Sequence, residues 1–150
     1  MCLIILDDVS EVLREAFLDV YKKRSGNAWI PKSHHGRDLR KDLEKAKASI
    51  DNNQKKLLNE GDHKNWDTTL LCSVLSANIW GSKLSGDKVK AVDDIRQIRN
   101  YCFHHSTSEV PAAKLSSSVT TIERVYRVLI QDRSKQSLAI TRMKQLAKGK

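Results

Sequence analysis

The sequence predicts an all-α protein, folded as an up-and-down bundle of four to six helices. Three observations predict this class. The 150 residues include only two prolines and six glycines, aromatic residues make up 5% of the chain, and apolar residues recur at three- and four-residue steps. A β-sandwich would need more turn residues and a different apolar period. The length predicts a single domain over residues 1–150, large enough to bury a core.

The first predicted helix runs from Leu3 to Lys23 and has one continuous apolar stripe. The stripe consists of Leu6, Val9, Leu13, Phe17 and Val20. Glycine and proline interrupt the helical pattern between residues 24 and 36. The apolar residues 1–6 are followed at once by two aspartates, so they predict the start of a core helix rather than a signal peptide or a membrane span.

A highly charged second segment covers residues 37–61 and carries only a narrow apolar stripe. Its acidic and basic residues lie three and four positions apart, a spacing that supports an exposed helix. The letters DNNQ at residues 51–54 predict an interruption or a bend in this helix. Gly61 predicts its end, because glycine commonly follows the last turn.

The third predicted helix lies within residues 66–80, with Asp67 or Thr68 as its N-cap. Its apolar residues cover a wide arc, so we expect it to be the most buried helix of the bundle. Trp66 and Trp80 stand at its two ends, and we expect both to pack at the edge of the bundle.

The fourth predicted helix spans residues 88–105, and a fifth carries the apolar residues between 119 and 129. The final stretch, residues 130–150, predicts a basic C-terminal helix or tail. In the fourth helix the expected core-facing residues are Val92, Ile95, Ile98, Cys102 and Phe103.

The formal net charge of +9 predicts attraction to polyanions such as nucleic acids. A merely solvated basic surface is the alternative reading of the same charge. Acidic membranes would also attract the chain, but no basic helix here carries the strong apolar face that insertion needs. We therefore expect no membrane partner.

The three cysteines, Cys2, Cys72 and Cys102, form no C-x-x-C pair. An odd number of cysteines without that spacing indicates a reducing compartment and no disulfide framework, so we expect a cytoplasmic protein. No cysteine and histidine pair has the spacing of a structural zinc site. We expect neither a metal nor another cofactor.

The run IRQIRNYCFHH at residues 95–105 concentrates residues that carry chemistry. On a helix each residue turns by about 100°, so Asn100 and His104 share a side while Arg99 lies about 140° from His104. Arginine forms paired hydrogen bonds to phosphate, histidine moves protons near neutral pH, and asparagine can orient either of them. A helix C-terminus also favours arginine and histidine electrostatically, so a structural cap is the alternative.

The letters RNYCFH resemble the signature of the HEPN superfamily (higher eukaryotes and prokaryotes nucleotide-binding domains). That signature is an arginine followed by a polar residue, most often asparagine, and by a histidine after four to six residues. The run WDTTLLCSVL followed by DDIRQIRN is similar to the HEPN domain of DAZ-interacting zinc-finger ubiquitin ligases. RNYCFHHSTSEVP is similar to the kinase-extension nucleases of the RNase L type. The resemblance covers residues 60–130 and implies a HEPN-like bundle.

The resemblance leaves two candidates for the histidine. The RNase L-type spacing selects His104, which we take as the first choice. The spacing common in the ubiquitin-ligase relatives selects His105 and leaves His104 where a glycine is usual.

The resemblance implies a metal-independent endoribonuclease that cleaves single-stranded RNA in a cleft shared by a homodimer. His104 would be the general base or acid for attack of the ribose 2′-hydroxyl, and Arg99 would hold the phosphoryl oxygens. Asn100 would orient the histidine or contact the phosphate. The arrangement in a dimer would bring Arg99 of one chain to His104 of the other. The candidate catalytic residues are Arg99, Asn100, His104 and His105, and the candidate RNA contacts are Tyr101 and Arg96.

Two other readings remain open at this point. The first is a non-catalytic HEPN module that forms dimers and binds RNA or protein. The second is a helical scaffold in which Arg99 and His104 only cap a helix. HEPN domains often stand at the front of a ligase or an NTPase, so the chain is also compatible with a larger multidomain protein.

Overall fold

The computed structural model describes residues 2–104 and 111–148, and these ranges contain helices and no strand. The all-α prediction is confirmed. No helix in the described ranges has the length and apolar character needed to cross a bilayer. Two single 3₁₀ turns cover His63–Asn65 and Gly81–Lys83. The α-helices are α1 (Cys2–Ser25), α2 (His35–Lys45), α3 (Asn52–Glu60), α4 (Thr68–Ser76), α5 (Gly86–His104), α6 (Ala112–Leu129) and α7 (Arg133–Ala147).

The described ranges hold seven α-helices rather than four to six, because the charged second segment forms two. A new helix starts at Asn52, and its N-cap, Asp51, forms a capping box. The Asp51 carboxylate accepts a hydrogen bond from the Gln54 backbone N–H at 2.8 Å. The Gln54 side chain accepts one in return from the Asp51 N–H at 3.0 Å. Gly61 ends α3 in the left-handed conformation, as predicted.

Helix α1 lies at the centre of the packing and contacts α4, α5, α6 and α7. Every residue of its predicted apolar stripe is buried, which confirms that prediction. One hydrophobic cluster takes buried residues from all seven helices. In α4 the N-cap is Asp67, whose carboxylate accepts from the Leu70 N–H at 2.9 Å. This cap fixes where α4 starts against α1.

The prediction that Trp66 and Trp80 lie at the edge is wrong, since they are 0% and 3% exposed. Their rings pack around Phe17, with centroid distances of 5.0 Å and 6.2 Å. The Trp66 indole N–H donates to the Leu57 carbonyl at 3.3 Å, and that of Trp80 to the Val74 carbonyl at 2.9 Å. Burial is possible because backbone carbonyls satisfy both indole donors.

A buried carboxylate joins three helices. Asp8 on α1 is only 8% exposed. The Tyr126 hydroxyl on α6 donates to Asp8 Oδ2 at 2.5 Å, and Arg142 Nε on α7 donates to Asp8 Oδ1. Burial and the neighbouring Asp8 carboxylate raise the pKa of Tyr126, so the phenol stays a donor. We call Asp8, Tyr126 and Arg142 the three-helix clamp.

Replacing Asp8 with Ala is expected to lower the free energy of unfolding by about 2–3 kcal/mol, because the Tyr126 hydroxyl is then buried without its acceptor. Asp7→Ala is the matched control, since the neighbouring Asp7 is exposed and its removal should cost less than about 0.5 kcal/mol. Urea unfolding followed by circular dichroism measures both. Equal midpoints for the two variants would show that the clamp contributes no stability.

Helix α2 approaches the end of α3 so closely that only glycine fits at residue 36. A Cβ on Gly36 would lie 2.0 Å from the Leu58 carbonyl oxygen and 2.9 Å from the Gly61 Cα. Gly36→Ala is therefore expected to cost at least about 1–3 kcal/mol through overpacking. Gly86→Ala, with open space around its Cβ, should be neutral or stabilising by up to about 1 kcal/mol. Thermal melts compare the pair, and a Gly36→Ala protein as stable as the wild type contradicts the close approach.

Candidate functional site

A cleft of about 520 Å³ opens between α4, α5 and the segment that joins α2 to α3. Arginine, amide and hydroxyl side chains dominate its two helical walls. Three of the residues selected from the sequence line it together, and the facing wall adds three hydroxyl groups. The α5 residues are Arg96, Arg99 and Asn100, and the α4 residues are Thr69, Ser73 and Ser76.

Arg99 is held in place from two sides while one of its donors stays unused. Its Nη1 donates to Asn100 Oδ1 at 3.2 Å, and its guanidinium carbon lies 3.9 Å from the centre of the Phe103 ring. Its Nε is buried and has no hydrogen-bond partner among the described residues, and the same is true of Ser76 Oγ. Both atoms are closed off from the cleft in this arrangement, so a ligand meets the remainder of the guanidinium rather than its Nε.

Arg96 adds a second guanidinium to the same wall. Its Nη2 donates to the Cys72 carbonyl at 3.4 Å, which turns the side chain towards α4. Its only ion pair in the described ranges is a 4.0 Å contact with Asp93. The one acid that lines the cleft is Asp51, whose carboxylate caps α3. The cleft therefore presents two arginines, and its single carboxylate is occupied as a helix cap.

His104 is the last residue of α5 and is exposed. The helix is continuous from Asn100 to His104, so both residues lie on one side, one turn apart. His104 does not line the cleft, and within the described ranges it is not hydrogen-bonded to Arg99. The alternative histidine, His105, lies outside the described residues. A single chain therefore brings together Arg96, Arg99 and Asn100 and leaves His104 outside their cleft.

The two aromatic residues next to the motif lie on different sides of α5. Tyr101 is half-buried, and the Lys114 ammonium lies 4.6 Å from the centre of its ring, so Tyr101 faces α6 rather than the cleft. Phe103 was expected in the core, but it is 58% exposed, and that prediction is wrong. Residue 103 is turned by about 100° from the half-buried Cys102 and therefore leaves the apolar stripe.

Among the described residues, no cluster of three or more His, Cys, Asp or Glu side chains is placed to hold a metal ion. His63 sits in a 3₁₀ turn and is buried, and burial lowers its pKa from the usual value. Its backbone carbonyl accepts from Arg14 Nε at 3.2 Å, which ties the turn to α1. We assign His63 to the packing of this turn.

The hydroxyl wall of the cleft was not selected from the sequence. Thr69, Ser73 and Ser76 are spaced by four and three residues, so they form a polar stripe along a largely apolar helix. That spacing is the sequence signal from which these three residues could have been predicted to line a site. Cys72 lies on the same wall, where its thiol donates to the Val92 carbonyl at 3.8 Å. Burial raises its pKa to about 12, so the group is a thiol at neutral pH.

Comparison with protein-family models, with curated proteins and with solved structures gives no match to this chain. Function is therefore inferred from the residues that line the cleft and from the motif that contains Arg99.

Cys72 is expected to resist alkylation in the folded protein although it lies on the wall of an open cleft. With a pKa of about 12, only about one thiol in ten thousand is ionised at pH 8, and the thiolate is the nucleophile. Iodoacetamide labelling followed by peptide mass spectrometry should modify Cys72 only after denaturation. Labelling of the native protein at the rate of free N-acetylcysteine would overturn this assignment.

Proposed function

We propose that the protein is a metal-independent endoribonuclease of the HEPN type that acts on single-stranded RNA as a homodimer. The observation that carries the proposal is the position of Arg99. Its side chain lines the cleft and is fixed by Asn100 and Phe103. A planar guanidinium that is held in one orientation is suited to the oxygens of a phosphodiester.

The remainder of the cleft supports a phosphate ligand. Arg96 places a second positive charge on the Arg99 wall, and the α4 wall offers the hydroxyls of Thr69, Ser73 and Ser76. Hydroxyl and guanidinium donors from two walls can surround an anion without a metal ion. A volume of about 520 Å³ falls in the usual range of small-ligand sites, about 300–1,000 Å³. The net charge of +9 favours the approach of an RNA chain.

In the proposed reaction the ribose 2′-oxygen attacks the adjacent phosphorus and the bond to the 5′-oxygen breaks. A histidine takes the 2′-hydroxyl proton, and the departing 5′-oxygen gains a proton. Arg99 stabilises the charge that develops on the phosphoryl oxygens. The products are a 2′,3′-cyclic phosphate and a 5′-hydroxyl end. DNA lacks the attacking hydroxyl, so it is not a substrate.

The histidine of this reaction comes from a second chain. His104 stands exposed at the end of α5, about 140° around the helix from Arg99 and outside the cleft of its own chain. A dimer in which two α5 helices meet by their ends brings His104 of one chain to Arg99 of its partner. Phe103 lies next to His104 at the end of α5, and its ring is largely exposed. Contact between two chains at this helix end would bury that apolar ring.

One observation favours a second candidate, a non-catalytic module that binds RNA through the same cleft. Within one chain the cleft contains Arg96, Arg99 and Asn100 but no histidine. Such a protein holds a phosphate and transfers no proton. The two candidates therefore share the phosphate site and differ only in the part played by His104.

The first test incubates a labelled single-stranded RNA with the purified protein in EDTA, beside Arg99→Ala, His104→Ala and His105→Ala. We expect EDTA-resistant cleavage to cyclic-phosphate ends, reduced by at least about 100-fold in Arg99→Ala and His104→Ala, because each loses one contribution to the transition state. His34→Ala and Arg37→Ala are matched controls, since both residues are exposed on or beside α2 and do not line the cleft.

Mixing the Arg99→Ala and His104→Ala proteins separates a shared site from one built by a single chain. Heterodimers restore one intact pair only if the two residues come from different chains, so recovered cleavage supports the dimer. If every protein leaves the RNA intact but Arg99→Ala weakens binding, the non-catalytic module replaces the nuclease. Unchanged binding and cleavage in Arg99→Ala contradict the phosphate site itself.

A further inference from the structure

The connection between α2 and α3, together with the first turn of α3, forms one side of the cleft that contains Arg99. Four residues of this side line the cleft: Ala48, Ser49, Asp51 and Gln54. Lys47 directly precedes them and is exposed. Two residues of chain span at most about 7 Å, so the Cα of Lys47 lies within about 7 Å of that of Ser49. Lys47 therefore stands beside the cleft.

Lys47 follows the last turn of α2 in the left-handed conformation, with a φ of 59°. The Ala48 N–H donates to the Leu43 carbonyl at 3.0 Å. The Lys47 N–H donates to the Glu44 carbonyl at the same distance. These two bonds form a Schellman motif, in which glycine is the usual residue at the position of Lys47. A side chain in this conformation is crowded by its own backbone, so lysine is less stable here than glycine.

Two other helices end with a glycine in this conformation. Gly26 follows α1 with a φ of 78°, and Gly61 follows α3 with a φ of 75°. The end of α2 therefore keeps a strained lysine where the same chain elsewhere uses glycine. Strained residues are retained where their side chains have a function, so the Lys47 ammonium is a candidate binding group of the cleft.

Backbone conformation alone does not select Lys47, because Lys32 has a φ of 61°. A Cβ on Gly61 would lie 3.1 Å from the Lys32 nitrogen, so Lys32 lies at the far end of α3. Nine helical residues place that end about 13 Å from the turn that lines the cleft. The two lysines share a conformation and a charge, and only Lys47 adjoins the cleft.

The positive charge of Lys47 is not compensated by the acids near it in sequence. Asp42 pairs with Arg24 at 2.9 Å, and Glu44 pairs with Arg40 at 2.9 Å. The Lys47 ammonium has no ion pair or hydrogen bond within the described ranges. It therefore adds a free cation to a cleft whose opposite wall carries two arginines.

We propose that Lys47 binds the RNA phosphate next to the one held by Arg99, so that the site takes two consecutive phosphates of a single strand. This rests on the phosphate site proposed for Arg99. A strand that leaves the cleft over the α2–α3 connection brings its next phosphate to Lys47. Lysine is a compact charge on a flexible stem, which suits a contact that follows the backbone and reads no base. The site then favours a polynucleotide over a mononucleotide.

The left-handed conformation allows the charge to be removed without loss of stability. Lys47→Gly deletes the ammonium and restores the usual residue of the motif, so the melting temperature should stay equal to that of the wild type or rise by up to about 4 °C. Lys47→Asn is a second uncharged variant, because asparagine tolerates this conformation. Lys47→Arg keeps the charge. Lys32→Gly is the matched control, since it removes one exposed lysine from the same conformation away from the cleft.

Fluorescence anisotropy measures binding of a labelled single-stranded RNA of about eight nucleotides. All proteins carry His104→Ala, which removes the proposed proton acceptor and keeps the RNA intact. We expect Lys47→Gly and Lys47→Asn to weaken binding by about threefold to fivefold near 0.1 M salt. They should also reduce the slope of log affinity against log salt by about 0.7, the contribution of one single-strand phosphate contact. Lys47→Arg and Lys32→Gly should each change the affinity by less than twofold.

Two results would overturn this assignment while leaving the phosphate site intact. One is unchanged binding in Lys47→Gly and Lys47→Asn although Arg99→Ala weakens binding, which would show that the strand leaves the cleft on another side. The other is an equal loss in Lys47→Gly and Lys32→Gly, which would reduce the effect to net charge. Unchanged binding in Arg99→Ala would instead remove the phosphate site itself, and the role of Lys47 with it.

Discussion

The carboxylate of Asp8 is the interaction on which the arrangement of the last two helices depends. A buried acid is tolerated only when its oxygens are hydrogen-bonded, and here the two oxygens take donors from Tyr126 on α6 and Arg142 on α7. The most basic part of the chain is thereby attached to the central helix. Without this contact α7 has only a short buried face, and its charged residues favour water.

Because α1 holds the other helices, it also determines where the two surface sites lie. Helices α4 and α5 pack on α1, and the cleft with Arg96 and Arg99 opens where they meet the segment that joins α2 to α3. A groove of about 540 Å³ lies between α1 and α7, and the three-helix clamp holds the two helices there side by side.

The two surfaces differ in the charges that line them. The cleft presents two arginines and several hydroxyls, and its one carboxylate caps α3. The groove between α1 and α7 is lined by acids and by Lys88, Lys135 and Arg142, so its charge is mixed. Donors of the kind found in the cleft suit the phosphates of a nucleic acid.

The sequence by itself determined the features that depend only on residues near one another along the chain, such as helix faces, caps and helix ends. The stripe of α1, the Asp67 cap and the Gly61 stop are local signals, and each has the predicted effect in the structure. The motif also selected Arg99 and Asn100, which share a cleft, although their roles in RNA cleavage stay a prediction.

Tertiary structure decided everything that needs a partner distant in sequence. Trp66 and Trp80 are buried because their rings pack against Phe17, which lies far from both along the chain. Asp8 takes its two hydrogen-bond donors from residues that lie 118 and 134 positions away. The hydroxyl wall opposite Arg99 and the position of His104 outside the cleft depend on how α4 and α5 pack. Periodicity specifies which face of a helix is apolar, but not which polar group will meet it there.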